Sequence, residues 1–393
     1  MTKTVRVFPE NVWTGAMGIP FRILQTLGKR TVRVNFMHVL IVNTVCGTGS
    51  VGRICVSQKR ELEAQGHTVR IACGRGSGGD YRIDTPMEVR VHGLLTRTTD
   101  RHGFGSRSAT ERFLAWAEAF DPELLFLHNL HGYYLHIGLL FQWIKSRPQM
   151  RVRWTLHDCW AFTGHCCYFD YVDCPRWKTG CHHCPQKGEY PASLGLDRSR
   201  ENYRDKRALF TGVRDMTLIT PSHWLAGLVK ESFLKDYPVE VVHNTIDPSV
   251  FKPTQGNFRE KYGLEGKKIV LGVAANWEKR KGLPDLLALA ETLGEPYRVV
   301  LVGFKGKVPP SVLAIGRTDS PRELAEIYTA ADVFVNPTYE DNYPTVNLEA
   351  AACGTPVITY RTGGSVESVP QDRIVEKGNL RGLEAMIRRV CGA

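Results

Sequence analysis

The sequence predicts an α/β protein of two Rossmann-like domains facing across a cleft, and three observations carry that expectation. From Met37 onward, short β-rich runs alternate with segments of helical periodicity, the pattern of parallel sheets covered by helices. Residues 248–257 interrupt the alternation with a polar, proline-bearing stretch, after which it restarts. The chain has 393 residues, 42% of them hydrophobic, enough for two cores of ordinary size. The expected division is an N-terminal extension at 1–36, a first domain at 37–250 and a second at 251–393.

Residues 38–44 form a β-rich run, 46–52 a glycine loop, and 54–65 a helix stopped by Gly66. Further strands are expected at 68–73, 124–128, 152–157, 217–220 and 239–242, with an amphipathic stretch at 135–145. In the second half, strands at 269–274, 297–303, 333–337 and 356–360 alternate with helices at 282–293, 321–331 and 345–353. Ser320 is placed to cap the second of those helices.

Composition excludes disorder, a collagen-like repeat and a small disulfide scaffold. The net charge of +11 invites a nucleic-acid reading, but residues 1–36 alone hold six basic groups against one acid. The remaining 357 residues carry 45 basic against 39 acidic groups, too even for a nucleic-acid groove. Pro9, Gly15, Gly18 and Pro20 break any long helix in the leader, so it reads as an extension rather than a targeting peptide. No run approaches the roughly 18 apolar residues of a membrane span. The expected location is the cytoplasm.

Gly47-Thr48-Gly49-Ser50-Val51-Gly52 is a G-x-G-x-x-G turn between a strand and a helix, where backbone amides and a helix N-terminus can meet an anionic or sugar ligand. An NAD(P)-dependent oxidoreductase is one reading. It needs an acid at the end of the second strand, where this chain has Cys73-Gly74-Arg75. A ligand loop of another kind is therefore preferred.

In the second half, Tyr339-Glu340-Asp341-Asn342-Tyr343-Pro344-Thr345-Val346-Asn347-Leu348-Glu349 carries acids at both ends, around a helix start. Acids so placed can accept hydrogen bonds from sugar hydroxyls, and the free amides at the helix start can face a phosphate. Glu278-Lys279-Arg280-Lys281 stands between a strand and Gly282, where fixed cations can meet an anionic group. No D-x-D occurs, so no catalytic divalent metal is expected.

These motifs, followed by Ala352-Cys353-Gly354-Thr355-Pro356-Val357-Ile358, resemble the E-x7-E region of family 4 retaining glycosyltransferases of the GT-B fold. Residues 241–253, 272–282 and 361–364 are similar to that family's lead-in to the donor domain, its phosphate-contacting segment and its late glycine turn. Within the family, the chain looks most similar to capsular and exopolysaccharide enzymes with a cysteine-rich insert. It departs in three ways: Asp341 stands at the first glutamate, with Glu340 beside it; Asn276 stands at the usual arginine; and the chain ends at Ala393, before the long helix that returns to the first domain in such folds.

The resemblance implies transfer with retention from a UDP- or GDP-linked sugar to a glycan or polyprenyl-linked acceptor, and with such an acceptor peripheral contact at the inner face of the membrane. Glu349 would hold the ribose and Arg280 with Lys281 the diphosphate. Asp341 or Glu340, with Asn342, Tyr343, Pro344, Thr345, Val346 and Gly303, would surround the sugar. Gly47, Gly49 and Gly52 form the acceptor-side loop. His157, in Thr155-Leu156-His157-Asp158, is expected at the transferred sugar or the acceptor hydroxyl, with Asn129 and His131 as further acceptor contacts.

Five of the eleven cysteines fall between 166 and 184, inside an insert at 159–190. Cys181 and Cys184 have chelating C-x-x-C spacing, and Cys166 and Cys174 can complete a tetrahedron. Cys167, His165, His182 or His183 could replace one ligand. A structural zinc is favoured over free thiols or disulfides. A non-catalytic zinc-knuckle binding protein is the remaining alternative.

Overall fold

A computed structural model describes residues 36–318 and 320–392. Except for Phe36, the expected N-terminal extension lies outside the described residues. The first domain holds strands β1 (His38–Cys46), β2 (Thr68–Gly76), β3 (Tyr81–Arg82), β4 (Leu124–Leu127), β5 (Arg151–Thr155), β6 (Met216–Thr220) and β7 (Val239–Val241). They form one sheet in the order β3-β2-β1-β4-β5-β6-β7, and every pair is parallel. Its helices are α1 (Gly49–Ala64), α2 (Pro86–Thr99), α3 (Arg107–Phe120), α4 (Ile137–Ser146), α5 (Ser199–Phe210) and α6 (His223–Glu231).

The second domain has β8 (Lys268–Val273), β9 (Tyr297–Val302), β10 (Val312–Ile315), β11 (Val333–Asn336), β12 (Val357–Tyr360) and β13 (Ile374–Val375), in the order β10-β9-β8-β11-β12-β13. Its helices are α7 (Phe258–Lys261), α8 (Leu283–Thr292), α9 (Pro321–Ala330), α10 (Thr345–Ala352) and α11 (Leu380–Val390). Ser320 caps α9 by accepting from the Glu323 amide at 3.1 Å. Central strands such as β1 and β4 are almost continuous apolar runs because helices cover both faces of a parallel sheet. In each sheet the strand order reverses beside the first strand, and ligands of open α/β sheets bind beyond the strand ends at such a point.

The structure corrects two boundaries. Helix α1 begins at Gly49 rather than Ile54, because positive-φ Gly47 and Gly49 complete the turn and Ser50 already belongs to the first helical turn. Strand β2 runs on to Gly76, past the expected end at 73.

The cysteine-rich insert has no sheet of its own. It is built from three short 3-10 turns, at Trp160–Phe162, Asp170–Val172 and Arg176–Lys178, and its Phe162, Phe169 and Trp177 join the core of the first domain. Helix α11 packs within the second domain, against α8, β12 and β13. Contacts between the domains include the following. Glu367 carboxylate oxygens accept from the His223 and Trp224 amides at 2.8 and 2.9 Å, and the Ser222 hydroxyl donates to Asn342 Oδ1 at 2.6 Å.

Candidate active site

The glycine turn places the N-terminus of α1 at the interdomain cleft. A Cβ at Gly47 would lie 2.4 Å from the Ser77 carbonyl oxygen, so this close approach excludes other residues. Gly49 has nothing within 4 Å of its missing Cβ. Gly52 departs from its expected role: it is buried in α1, where a Cβ would meet the Val45 carbonyl at 3.1 Å, and it serves helix–strand packing.

Two cavities meet at this turn, sharing Ser50 of α1 and Thr345 of α10. The larger, about 510 Å³, is lined by Gly47, Arg53, Arg60, Asp247, Phe251 and Glu349 among others. Glu349 is 4% exposed, accepts from the Tyr328 hydroxyl at 3.2 Å and lies 3.9 Å from Arg53. Burial raises its pKa, and Arg53 opposes the shift.

The second cavity, about 310 Å³, is lined by His157, Val273 to Asn276, Arg280, Lys281 and Asp341 to Val346. Lys281 Nζ donates to Asp341 Oδ2 at 2.6 Å, and Arg280 stands 3.8 Å from the same oxygen. Burial alone would raise the Asp341 pKa, but the two cations hold it below the ordinary carboxylate value. Arg280 is fixed on several sides: it donates to Glu278 at 3.0 Å and to the Glu340 carbonyl at 2.9 Å, and it stacks 3.8 Å over the Tyr168 ring. Asn342 donates to the His157 carbonyl at 3.2 Å, and Tyr343 stacks on His243. Pro344 precedes α10, whose first amides face this cavity with Thr345 and Val346. Gly303 supports the site from behind. A Cβ there would fall 1.9 Å from the carbonyl of Ala274, which does line the cavity.

Glu340 turns away from its neighbour. It is fully buried, and its carboxylate crosses to the first domain, where it accepts from the Phe169 and Tyr171 amides of the insert at 3.2 and 3.0 Å. Of the two acids beside each other, Asp341 faces the cavity and Glu340 ties the insert.

His157 lies at the cavity wall and is also hydrogen-bonded inside. Its Nε2 meets His128 Nδ1 at 3.0 Å, and His128 Nε2 meets Gln58 Oε1 at 3.1 Å. With Gln58 accepting, each neutral ring donates along the chain, which leaves His157 Nδ1 as an acceptor. Burial pushes the His157 pKa down to about 4, so the ring is neutral at physiological pH and suits a sugar hydroxyl better than a strong base role.

His131 belongs to a third cavity, about 270 Å³, which shares Tyr168, Glu278 and Arg280 with the second. There His131 Nε2 lies 2.8 Å from Asp158 and Nδ1 3.1 Å from the Tyr190 hydroxyl. Asn129 instead serves the backbone, its carbonyl accepting from Thr44 and Tyr134, both at 2.9 Å. Sequence reasoning missed Arg53, Tyr168, Asp158 as His131's partner, and Tyr190. Only Asp158 stood inside a motif.

Cys166, Cys174, Cys181 and Cys184 line one cavity of about 10 Å³. The Cys166 and Cys184 thiols hydrogen-bond, which lowers the Cys184 pKa to about 7, and the Gly164 amide donates to Cys181 Sγ at 3.2 Å. Among the described residues, the ligand sets whose atoms all lie within 4.8 Å of one another are His131–Asp158–Cys167 and His223–His243–Glu367, so the four thiols would have to draw in to close on one ion. The donor set itself suits zinc, and all eleven cysteines are unpaired.

Comparison with known proteins accords with this geometry. Residues 49–245 match the glycosyl transferase 4-like domain and residues 254–390 the glycosyl transferases group 1. The chain is 26% identical over 352 residues to the putative colanic acid biosynthesis glycosyl transferase WcaC of Escherichia coli K12, covering 84% of this chain and 85% of that one. Among solved structures it is similar to sucrose-phosphate synthase from Thermosynechococcus elongatus, with TM-score 0.63 and 16% identity over 91% and 90% of the two chains. It is also similar to Anabaena Alr3699/HepE in complex with UDP-glucose, with TM-score 0.59 and 13% identity over 90% and 89%. The oxidoreductase and zinc-knuckle-module readings give way to these matches. The glycosyl transferase 4-like match alone spans half of the sequence, and the chain belongs to the glycosyltransferases, joining a 4-like first domain to a group 1 second domain in a GT-B enzyme of the hexosyltransferase type.

Proposed function

We propose that this enzyme moves a sugar from a UDP- or GDP-linked donor to a glycan or polyprenyl-linked acceptor with retention of configuration, in surface polysaccharide assembly. The observation that carries the reading is the junction of two cavities at the N-termini of α1 and α10, with Lys281 and Asp341 in one and Glu349 in the other. The larger cavity takes the nucleoside, with Glu349 on the ribose. The diphosphate lies toward Lys281 and the α10 amides, and the sugar toward Asp341, Asn342 and His157. The names of the similar proteins, a colanic acid glycosyl transferase and a UDP-glucose complex, support a polysaccharide role and a nucleotide-sugar donor.

In the reaction, the bond from the anomeric carbon to the phosphate oxygen breaks and a bond to the acceptor oxygen forms on the same face. The acceptor proton passes to the leaving phosphate. The third cavity, with Tyr168, Tyr171, Tyr190, Gln186 and the His131–Asp158 pair, offers the aromatic faces and paired polar groups that hold an acceptor sugar. A thermal-shift screen tests the donor: one of the UDP- or GDP-sugars should raise the melting temperature, since a ligand bound only to the folded state stabilises it. No shift with any UDP-, GDP- or ADP-sugar would remove the reading.

The four-cysteine set is proposed to hold a structural zinc that stiffens the insert beside the acceptor. Buried Lys206 supports this. It donates to the Trp160 and Thr163 carbonyls at 2.8 and 3.2 Å, and burial pulls its pKa down to about 7 while the Cys167, Cys181 and Cys166 thiols act the other way. A cation there offsets part of the net negative charge of four thiolates on a divalent ion. Purified protein should contain stoichiometric zinc, and Cys181→Ser should release it and lower the melting temperature by on the order of 10 °C. Protein free of stoichiometric zinc and iron would exclude the site.

A further inference from the structure

Helix α2 is inside out. Its buried positions are His92, Gly93 and Thr96, while Met87, Val91, Leu94 and Leu95 face solvent, Leu94 with 63% of its surface exposed. At 100° per residue, these four fall on one stripe. The segment just after the insert extends it: the Leu194 amide donates to the Arg97 carbonyl near the end of α2 at 2.8 Å, and Leu194, 80% exposed, and Leu196 continue the apolar surface. Six large apolar side chains on neighbouring segments exceed the scattered exposure expected of a solvated face.

Arginines outnumber acids around the stripe. Arg90 and Arg97 run along one of its edges, and Arg198 and Arg200 are exposed just beyond Leu196. None of these four arginines has an ion-pair partner among the described residues, whereas the acid on the helix, Glu88, is engaged by Arg112 at 2.7 Å and by the Thr85 cap. Nearby Asp197 is occupied by the Ser199 and Cys184 amides. An apolar stripe edged by arginines that have no ion-pair partner among the described residues complements a layer with an apolar interior and anionic headgroups.

We propose that the exposed face of α2, with Leu194 and Leu196, docks the enzyme on an anionic lipid surface. The face also leads inward. Arg97 lies 5.9 Å over the Tyr133 ring, Tyr133 is 6.0 Å from Tyr190, and the Tyr190 hydroxyl reaches His131 in the third cavity. A glycan carried on a lipid in that layer therefore has a short path from the stripe to the acceptor cavity. This last step rests on the acceptor reading above; the docking does not.

Flotation of the full chain with vesicles tests the docking. The protein should partition onto phosphatidylglycerol–phosphatidylethanolamine vesicles, less onto phosphatidylcholine alone, and less as salt rises. Leu94→Glu combined with Leu194→Glu should lower partition about tenfold or more. Arg90→Ala and Arg97→Ala should each cost about fivefold on anionic vesicles. All four positions are exposed, so melting temperatures should stay at the parent value. No partition onto anionic vesicles, or equal partition of the leucine variant, overturns the proposal. So does a dimer that the leucine variant dissociates in the absence of vesicle binding, since the stripe would then be a self-association face. The thermal response to nucleotide sugars is read separately, so failure of the donor reading would leave the flotation result standing.

Discussion

Lys281→Ala is expected to lower kcat by about 10²–10³-fold while leaving the chain folded. Negative charge grows on the leaving diphosphate as the glycosidic bond breaks, and a preoriented cation in a water-poor cleft stabilises it strongly. Lys281 is the residue proposed for that role: its ammonium contacts Asp341 at 2.6 Å inside the cavity, and among the described residues no other ion pair holds it back. Arg280 cannot replace it, fixed as it is between Glu278, the Glu340 carbonyl and the Tyr168 ring. The two residues that the sequence presented as one basic pair thus have different surroundings, and the proposal assigns charge stabilisation to Lys281 and a structural part to Arg280.

Removing Lys281 also leaves Asp341 buried without its nearest partner, which destabilises the fold by a separate route. The double variant Lys281→Ala/Asp341→Asn should recover the melting temperature of the parent without recovering turnover. Steady-state kinetics together with thermal melts distinguish the two effects. Turnover within threefold of the parent in Lys281→Ala would withdraw its assignment.

The sheets were legible because buried parallel strands are apolar along their whole length, and runs such as Val39-Leu40-Ile41-Val42 admit little else. Helix α2 was not, because the usual pattern is reversed on it: apolar residues face out, and His92 and Thr96 face in. The donor-side motif brings Asp341, Asn342 and Thr345 to one cavity because the loop and the start of α10 are local. It could not say which way Glu340 turns. Neighbouring residues on a loop point to opposite sides, and the partner amides of Glu340 lie about 170 positions away, in the insert. Ser222, Glu367 and Tyr168 were silent for the same reason, since their roles exist only once the two domains meet.

Glu340→Ala should destabilise the closed protein by about 2–5 kcal/mol, because it strips the acceptor from two backbone amides that have no water to turn to. The carboxylate also titrates in a useful range. Burial raises its pKa to about 7, against the opposing pull of the Tyr171 and Phe169 amides. An acid whose pKa is raised on folding binds its proton more tightly in the folded state, so its contribution is largest below the unfolded value near 4.5. That contribution shrinks as pH rises towards 7, by about 3 kcal/mol across the window. Glu340→Gln stays neutral and should flatten that part of the stability–pH curve between 5 and 8, at the cost of one amide left without an acceptor. Parallel curves for the parent and Glu340→Gln would refute the titration. An unchanged melting temperature in Glu340→Ala would refute the tie itself. The kinetic signature follows from position: Glu340 holds the insert rather than the donor, so KM for the acceptor should rise about tenfold in the alanine variant while KM for the nucleotide sugar stays near the parent value. An equal rise in both would mean that the residue sets domain closure as a whole rather than the wall of the acceptor cavity.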